Sequence, residues 1–219
     1  HLGAPAPFPV LATAATATST LHLGTFVFNA CFYKPALLAR DIAAMRDLAE
    51  EAMASGAIGI STGAFYPPAA CASTEEIIEV CRPLAARGGV YATHMRDEGE
   101  HIVAALEETF RIGRELGVPV VISHHKVMGK PNFGRSRETL ALIEAAMAGQ
   151  DVSLDAYPYV AGSTMLKQDR VLLAGRSLIT WCKPFPELSG RDLDEVAAER
   201  GKAVLGDDEA EIGDAVLHR

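Results

Sequence analysis

From Arg40 onward, apolar positions follow two alternating rhythms. Short apolar runs of about five residues give way to longer stretches in which apolar residues return every three or four positions. The first rhythm is that of a β-strand, the second that of a helix with one buried face. A helix is expected over about 40–54, stopped by Gly56. The strand Ala57-Ile-Gly-Ile-Ser61 follows, then a polar turn with Gly63 and Pro67-Pro68. Ser73-Thr-Glu-Glu76 has the Ser-x-x-Glu spacing of a capping box, opening a helix that Gly88-Gly89 ends. Val90–His94 reads as a strand. The segment 98–116 reads as a helix with Val103, Leu106 and Phe110 on one face and Glu107, Glu108, Arg111, Arg114 and Glu115 on the other. Gly117 closes it.

The alternation continues. A strand over 118–123 leads into a Gly- and Pro-containing loop at 125–135, a helix at about 136–149, and a strand Asp151–Ala156. Ser177–Trp181 is expected as a further strand and Arg191–Arg200 as a helix. Residues 1–37 carry a biased stretch, Ala12-Thr-Ala-Ala-Thr-Ala-Thr-Ser-Thr20, and are expected to be irregular or diverged. Strands alternating with helices at this spacing predict βαβ units and a parallel sheet within a single α/β domain over 1–219. Right-handed crossovers bring every strand's C-terminal end to one rim, where such folds keep their chemistry.

Two histidines stand at that rim. His94 ends one apolar run and His124 ends the next. Neighbouring strands lie about 4.8 Å apart, so two imidazoles there are able to share a metal ion at about 2.0–2.1 Å each. Asp97 and Glu98 follow His94 closely, and either carboxylate is placed to take a second ring N–H. His125 is expected on the opposite face from His124 by strand alternation. Lys126 returns to the first face, where its charge suits a carboxylate. A Schiff-base lysine in an aldolase-like barrel is a separate reading. Tyr157, with Gly162-Ser163-Thr164 beyond it, offers donors toward a polarised carbonyl.

Bulk properties remove other classes. Among 219 residues, 20 are Lys or Arg and 28 Asp or Glu, giving a net charge of −8. That argues against nucleic acid or an anionic membrane as the main partner. No run has the length of a membrane span, and the N-terminal residues lack a signal-peptide pattern. The four cysteines, Cys31, Cys71, Cys81 and Cys182, contain no C-x-x-C pair and are expected as free thiols in the cytoplasm. The first residue is His1, so an upstream part is expected.

Four segments together resemble one family: Gly56-Ala-Ile-Gly-Ile-Ser-Thr-Gly-Ala-Phe-Tyr-Pro-Pro68, Tyr91-Ala-Thr-His-Met-Arg-Asp-Glu98, Val121-Ile-Ser-His-His-Lys126 and Leu154-Asp-Ala-Tyr-Pro-Tyr159. They are similar to the D-aminoacylases, the N-acyl-D-amino-acid deacylases of the amidohydrolase superfamily. The likeness covers about residues 40–200. It implies a (β/α)8, TIM-barrel-like fold with a small β-domain, represented here by a partial barrel. It further implies Zn2+ at the barrel mouth and a small-molecule N-acyl-D-amino acid as substrate. By position, His94 matches the metal histidine of the fifth strand and His124 that of the sixth, leaving His125 as a neighbour. Lys126, Tyr157 and Ser163 match residues that bind the substrate's carboxylate and carbonyl.

The chain also departs from the family's pattern. The early His-x-His pair is not in this sequence, and Cys31 lies in the wrong context for the bridging cysteine. The late aspartate that serves as base is not found either, and Asp155 lies in a different motif. A complete barrel takes about 250 residues. Open barrel edges would favour self-association. The alternative reading is a non-catalytic barrel fragment or interaction module that retains the scaffold.

Overall fold

The structure is a computed structural model that describes residues 35–66, 69–165, 174–183, 185–200 and 214–218. The reading of residues 1–34, Cys31 included, lies outside these residues. The chain forms two compact units. One holds the described residues up to His125 together with Arg137–Ala156; the other holds Lys126–Ser136 and the described residues from Tyr157 onward.

In the first unit the elements run α1 (Pro35–Ala54), β1 (Gly59–Gly63), α2 (Thr74–Arg87), β2 (Val90–His94), α3 (Ile102–Leu116), β3 (Val120–Ile122), α4 (Ser136–Met147, its first residue in the other unit) and β4 (Val152–Leu154). The four strands make one sheet in chain order, every neighbouring pair parallel. The expected βα rhythm is therefore observed over these elements. The strand expected at 57–61 begins two residues later, at Gly59.

Local chemistry explains the boundaries of α2. The Ser73 hydroxyl accepts from Glu76 N–H at 3.2 Å, and the Glu76 carboxylate accepts from Ser73 N–H at 2.6 Å. This is the reciprocal capping box expected from the spacing. Gly88, at φ 72°, closes the helix in the left-handed conformation, its N–H donating to Leu84 O. In α3 the deepest residues are Ile102, Leu106, Phe110 and Ile112. Val103, expected among them, is half-buried because Ile102 takes the inward position.

The two faces of the sheet differ. Tyr91 and Thr93 on β2, Val120 and Ile122 on β3, and Val152 on β4 are buried. The Tyr91 hydroxyl lies 2.8 Å from Thr62 Oγ1, which lies 2.9 Å from Thr93 Oγ1, so the buried polar atoms on this face meet one another. Burial pushes the Tyr91 phenol up, against the hydrogen bonds with Thr62 and Thr93, which act in the opposite direction. Burial also pushes the Cys81 thiol up to about 12. On the opposite face one row crosses all four strands in register: Ser61, Ala92, Val121 and Ser153. These residues are small or short and are half-buried or exposed.

The cysteine expectation is met only in part. Cys81 and Cys182 are free and buried, whereas Cys71 is disulfide-bonded. A disulfide needs closeness in space and not a short sequence spacing, so the absence of a C-x-x-C pair does not predict free thiols. Among the described residues no helix is long and apolar enough to cross a membrane.

The second unit carries an antiparallel sheet in the order β5 (Ala161–Met165), β7 (Asp214–His218), β6 (Arg176–Ile179), with α5 (Leu193–Arg200) after β6. Its small core gathers Ile179, Cys182, Leu188, Leu193 and Val196. Strand β6 and helix α5 fall near their expected places, and β5 and β7 are additional.

Gly59 gives a direct test of the ladder between β1 and β2. A Cβ there would lie 2.3 Å from Val90 O, a backbone atom, whereas one at Gly149 would meet nothing within 4 Å. Gly59→Ala is expected to destabilise the fold by about 1–3 kcal/mol, with Gly149→Ala within about 0.5 kcal/mol of the parent. Urea unfolding checks this, and equal midpoints for the two variants would refute the close approach.

Candidate metal centre

The parallel ladder sets the site. Thr93 pairs with Ile122, and Ser123 N–H donates to Thr93 O at 3.0 Å. His94 and His124 therefore leave adjacent strands at the same rim. Their ring centroids lie 4.4 Å apart with the planes at 76°. The expected juxtaposition of the two histidines is observed.

His124 reaches this position through an unusual backbone. Strand β3 ends at Ile122, and His124 has φ 41°, the one positive value recorded for a described non-glycine residue. Left-handed backbone is costly for a side chain with a Cβ and persists only when its surroundings hold it. Asp155 supplies that hold. Its carboxylate accepts from His124 N–H at 2.7 Å, and its carbonyl accepts from His125 N–H at 2.7 Å. His125 is directed elsewhere, with Nε2 2.9 Å from Thr139 Oγ1 on α4. The two histidines do diverge, but through this turn and not through strand alternation.

Glu98 is the residue whose orientation the sequence left open. Its carboxylate reaches both rings: Oε2 lies 3.3 Å from His94 Nε2, and Oε1 lies 3.3 Å from His124 Nδ1. The side chain is only 1% exposed. Asp97, the other candidate, turns away and braces the turn before α3, accepting from Gly99 N–H at 2.7 Å and His101 N–H at 3.0 Å. His94, Glu98 and His124 each offer a ligand atom within 4.8 Å of the others. Two imidazoles and a carboxylate suit a divalent transition metal.

The surroundings fix His94 as well. Phe65 lies 4.5 Å from it, centroid to centroid, and Tyr66 lies 4.9 Å from it edge-on. Arg96, two residues after His94, secures the turn that follows these aromatics. Its guanidinium donates to both Glu108 oxygens at 2.8 and 2.7 Å, and to Ala70 O and Ala72 O at 2.6 and 2.8 Å. Such charge-assisted, two-pronged contacts are the stronger class of hydrogen bond. Sequence reasoning passed over Phe65, Tyr66 and Arg96, although the first two stand in a quoted motif and Arg96 follows the metal histidine.

The expected substrate residues lie in the second unit. Lys126 Nζ stands 5.6 Å over the Tyr157 ring, within cation–π range, and Tyr157 stacks on Tyr159 at 4.4 Å. Ser163 is on β5 and exposed. The structure thus brings Lys126 and Tyr157 together.

The chain's α/β fold, with its parallel sheet, matches solved amidohydrolase structures. The solved structure of D-aminoacylase, described as defining a novel subset of amidohydrolases, matches with a TM-score of 0.77 and 80% identity, covering 82% of this chain and 38% of that one. D-aminoacylase of Alcaligenes xylosoxydans xylosoxydans is 92% identical over 163 residues, 74% of this chain and 34% of its own length. The N-acyl-D-aspartate deacylase of the same organism is 59% identical over 171 residues, 78% of this chain and 34% of its own. N-acyl-D-glutamate deacylase from Bordetella bronchiseptica, solved with zinc and a phosphonate inhibitor, matches with a TM-score of 0.76 and 39% identity over 82% of this chain and 38% of that one. No family model matches. Over the shared stretch the chain belongs with the D-aminoacylases, as its motifs indicated, and it spans about a third of the length of these curated relatives.

The Asp155 hold is open to measurement. Hydrogen bonds to charged groups contribute about 1.5–3 kcal/mol. Asp155→Ala is therefore expected to speed amide exchange at His124 by about 10–100-fold, with exchange in α3 little changed. Unaltered exchange at His124 would show that something else maintains the left-handed turn.

Proposed function

We propose that this chain is part of a zinc-dependent N-acyl-D-amino-acid deacylase, which hydrolyses the amide of an N-acyl-D-amino acid to a carboxylate and a D-amino acid. The observation that carries the reading is the pairing of His94 and His124 at one rim of the sheet, in a chain 92% identical to D-aminoacylase over 163 residues. Zinc is preferred on the donor set and on the zinc bound by the N-acyl-D-glutamate deacylase. The four parallel strands are read as consecutive strands of a (β/α)8 barrel in one domain. Their chain order, and the row Ser61, Ala92, Val121 and Ser153 on the less buried face, support that reading. Catalytic zinc usually has three protein ligands. The remaining ligands and the aspartate base are assigned to the additional length of the full relatives.

His94 and His124 would hold the ion. When bound, zinc supplies Lewis-acid chemistry, polarising the acyl carbonyl and making water more acidic. The chain's own residues do the rest of the local work. Phe65 and Tyr66 cover His94 and restrict water on that side. Lys126 attracts the substrate's carboxylate by charge. The Tyr157 hydroxyl donates to the acyl oxygen as negative charge develops there, and Ser163 adds a second donor.

The natural full-length protein is expected to retain zinc through chelator-free purification and to release D-methionine from N-acetyl-D-methionine. Either His94→Ala or His124→Ala is expected to abolish tight zinc binding and activity. Full activity in either variant removes the ligand assignment, and a wild-type protein with no bound zinc removes the metalloenzyme reading. Tyr157→Phe is expected to lower kcat by about 100-fold with a smaller change in KM, the pattern of a donor that acts in the transition state. An effect confined to KM would contradict that role.

A further inference from the structure

We propose that Arg96 and Glu108 are positioning residues that act on the rim through the connection between β1 and α2. As a pair they hold this connection against the end of β2 and keep Phe65 and Tyr66 packed on His94. The catalytic consequence rests on the deacylase reading above, whereas the brace itself is a property of the fold.

The contacts make one continuous path. Glu108 stands in the middle of α3, and its carboxylate gathers donors from two other elements. Oε2 accepts from Arg96 Nε at 2.8 Å; Oε1 accepts from Arg96 Nη2 at 2.7 Å and from Thr74 Oγ1 at 2.8 Å. Arg96 lies just past the end of β2, and Thr74 is the first residue of α2. The guanidinium also grips the connection itself, with Nη1 donating to Ala70 O at 2.6 Å and Nη2 to Ala72 O at 2.8 Å. Ala70 N–H in turn donates to Tyr66 O at 2.9 Å. The Tyr66 ring meets both Phe65 and His94 edge-on, and the buried Phe65 ring packs on His94. Every step from α3 to the imidazole is thus a hydrogen bond, a ring contact or a bond of the chain.

Two observations separate this pair from an ordinary surface ion pair. The first is the use of donors. An arginine has five N–H groups, and these contacts occupy four of them, so the guanidinium is built into the connection and is not offered to a substrate carboxylate. The second is burial. The Arg96 and Glu108 side chains are 28% and 14% exposed. Arg111, which bridges the same two helices through Glu75 and Glu115, is 43% exposed, and exposed pairs of that kind contribute little. Geometry matters here as much as charge. A lysine keeps the charge but has one compact ammonium, which does not span two carbonyls and both carboxylate oxygens.

The test uses the natural full-length protein with Arg96→Met, Arg96→Lys and, as a control, Arg111→Met. In the metal-free protein, amide exchange read by mass spectrometry is expected to speed about 10–100-fold in the peptide covering 64–73 in both Arg96 variants, with peptides from β3 and the end of α3 unchanged. In the zinc-loaded protein, kcat for N-acetyl-D-methionine is expected to fall about 10–100-fold in the same variants, with KM little changed, because Lys126 and Tyr157 are untouched. Arg111→Met is expected to match the parent in both measurements. Parent-like exchange over 64–73, or exchange that quickens equally in every peptide, would overturn the brace. Parent-like kcat in Arg96→Met would overturn its catalytic consequence, and full recovery in Arg96→Lys would overturn the geometric role. If Arg96→Met does not fold, Glu108→Gln, which keeps the side chain's size and loses one acceptor, is expected to shift both measurements in the same direction, and a parent-like result would overturn the proposal. A wild-type protein without deacylase activity removes the deacylase reading, and the exchange measurement then decides the brace by itself.

Discussion

The parallel pairing of β2 with β3 is the constraint on which the site depends. Thr93 opposite Ile122 is the last register pair between the two strands. It places the next residues of both strands at one height on one rim. A slip by one residue would turn every side chain of a strand to the other face, sending His94 among the helices and Thr93 to the open side. Burial guards the register. Tyr91, Thr93, Val120 and Ile122 are all buried on one face, and Tyr91 also needs its hydroxyl contact with Thr62. Apolar burial and a satisfied buried hydroxyl thus fix the same alignment that brings the two imidazoles together.

Much of this frame was legible in the sequence because its signals are local. The capping box of α2 lies within four residues, and the glycines after α2 and α3 stop helices by their own backbone freedom. Strand β2 was read with its observed boundaries, since Val90–His94 is bounded by glycines before and charged residues after. The two histidines followed from strand ends alone. The antiparallel strands β5 and β7 were not legible, because their pairing joins Ala161–Met165 to Asp214–His218 across some fifty residues, with no turn signal between adjacent runs.

The parts of the site that escaped the sequence depend on tertiary contact. Nothing in Ser123-His-His-Lys126 announces a left-handed His124; the turn exists because Asp155, on the neighbouring strand's continuation, accepts its N–H. Asp97 and Glu98 are adjacent and chemically alike, yet one braces the turn before α3 and the other enters the site. Their directions are set by where α3 begins, four residues after Glu98 at Ile102. Arg96 was equally silent. Its value lies in reaching carbonyls 24 and 26 residues away, a relationship that no periodicity carries.

Such sharing gives the site a particular energetic character. When one buried carboxylate meets two rings, the histidines are no longer independent groups. A buried charge whose partner is removed carries a large penalty, so truncating one ring also alters the surroundings of Glu98 and, through it, the other ring. Groups linked in one network show coupling of about 0.5–3 kcal/mol in double-mutant cycles, whereas distant groups add. The two histidines of this rim belong to the first kind. Their closeness of 4.4 Å is maintained by a ladder beneath them, a carboxylate between them and an aspartate behind one of them. The ladder, the Glu98 carboxylate and Asp155 thus act on the same pair of imidazoles from three directions.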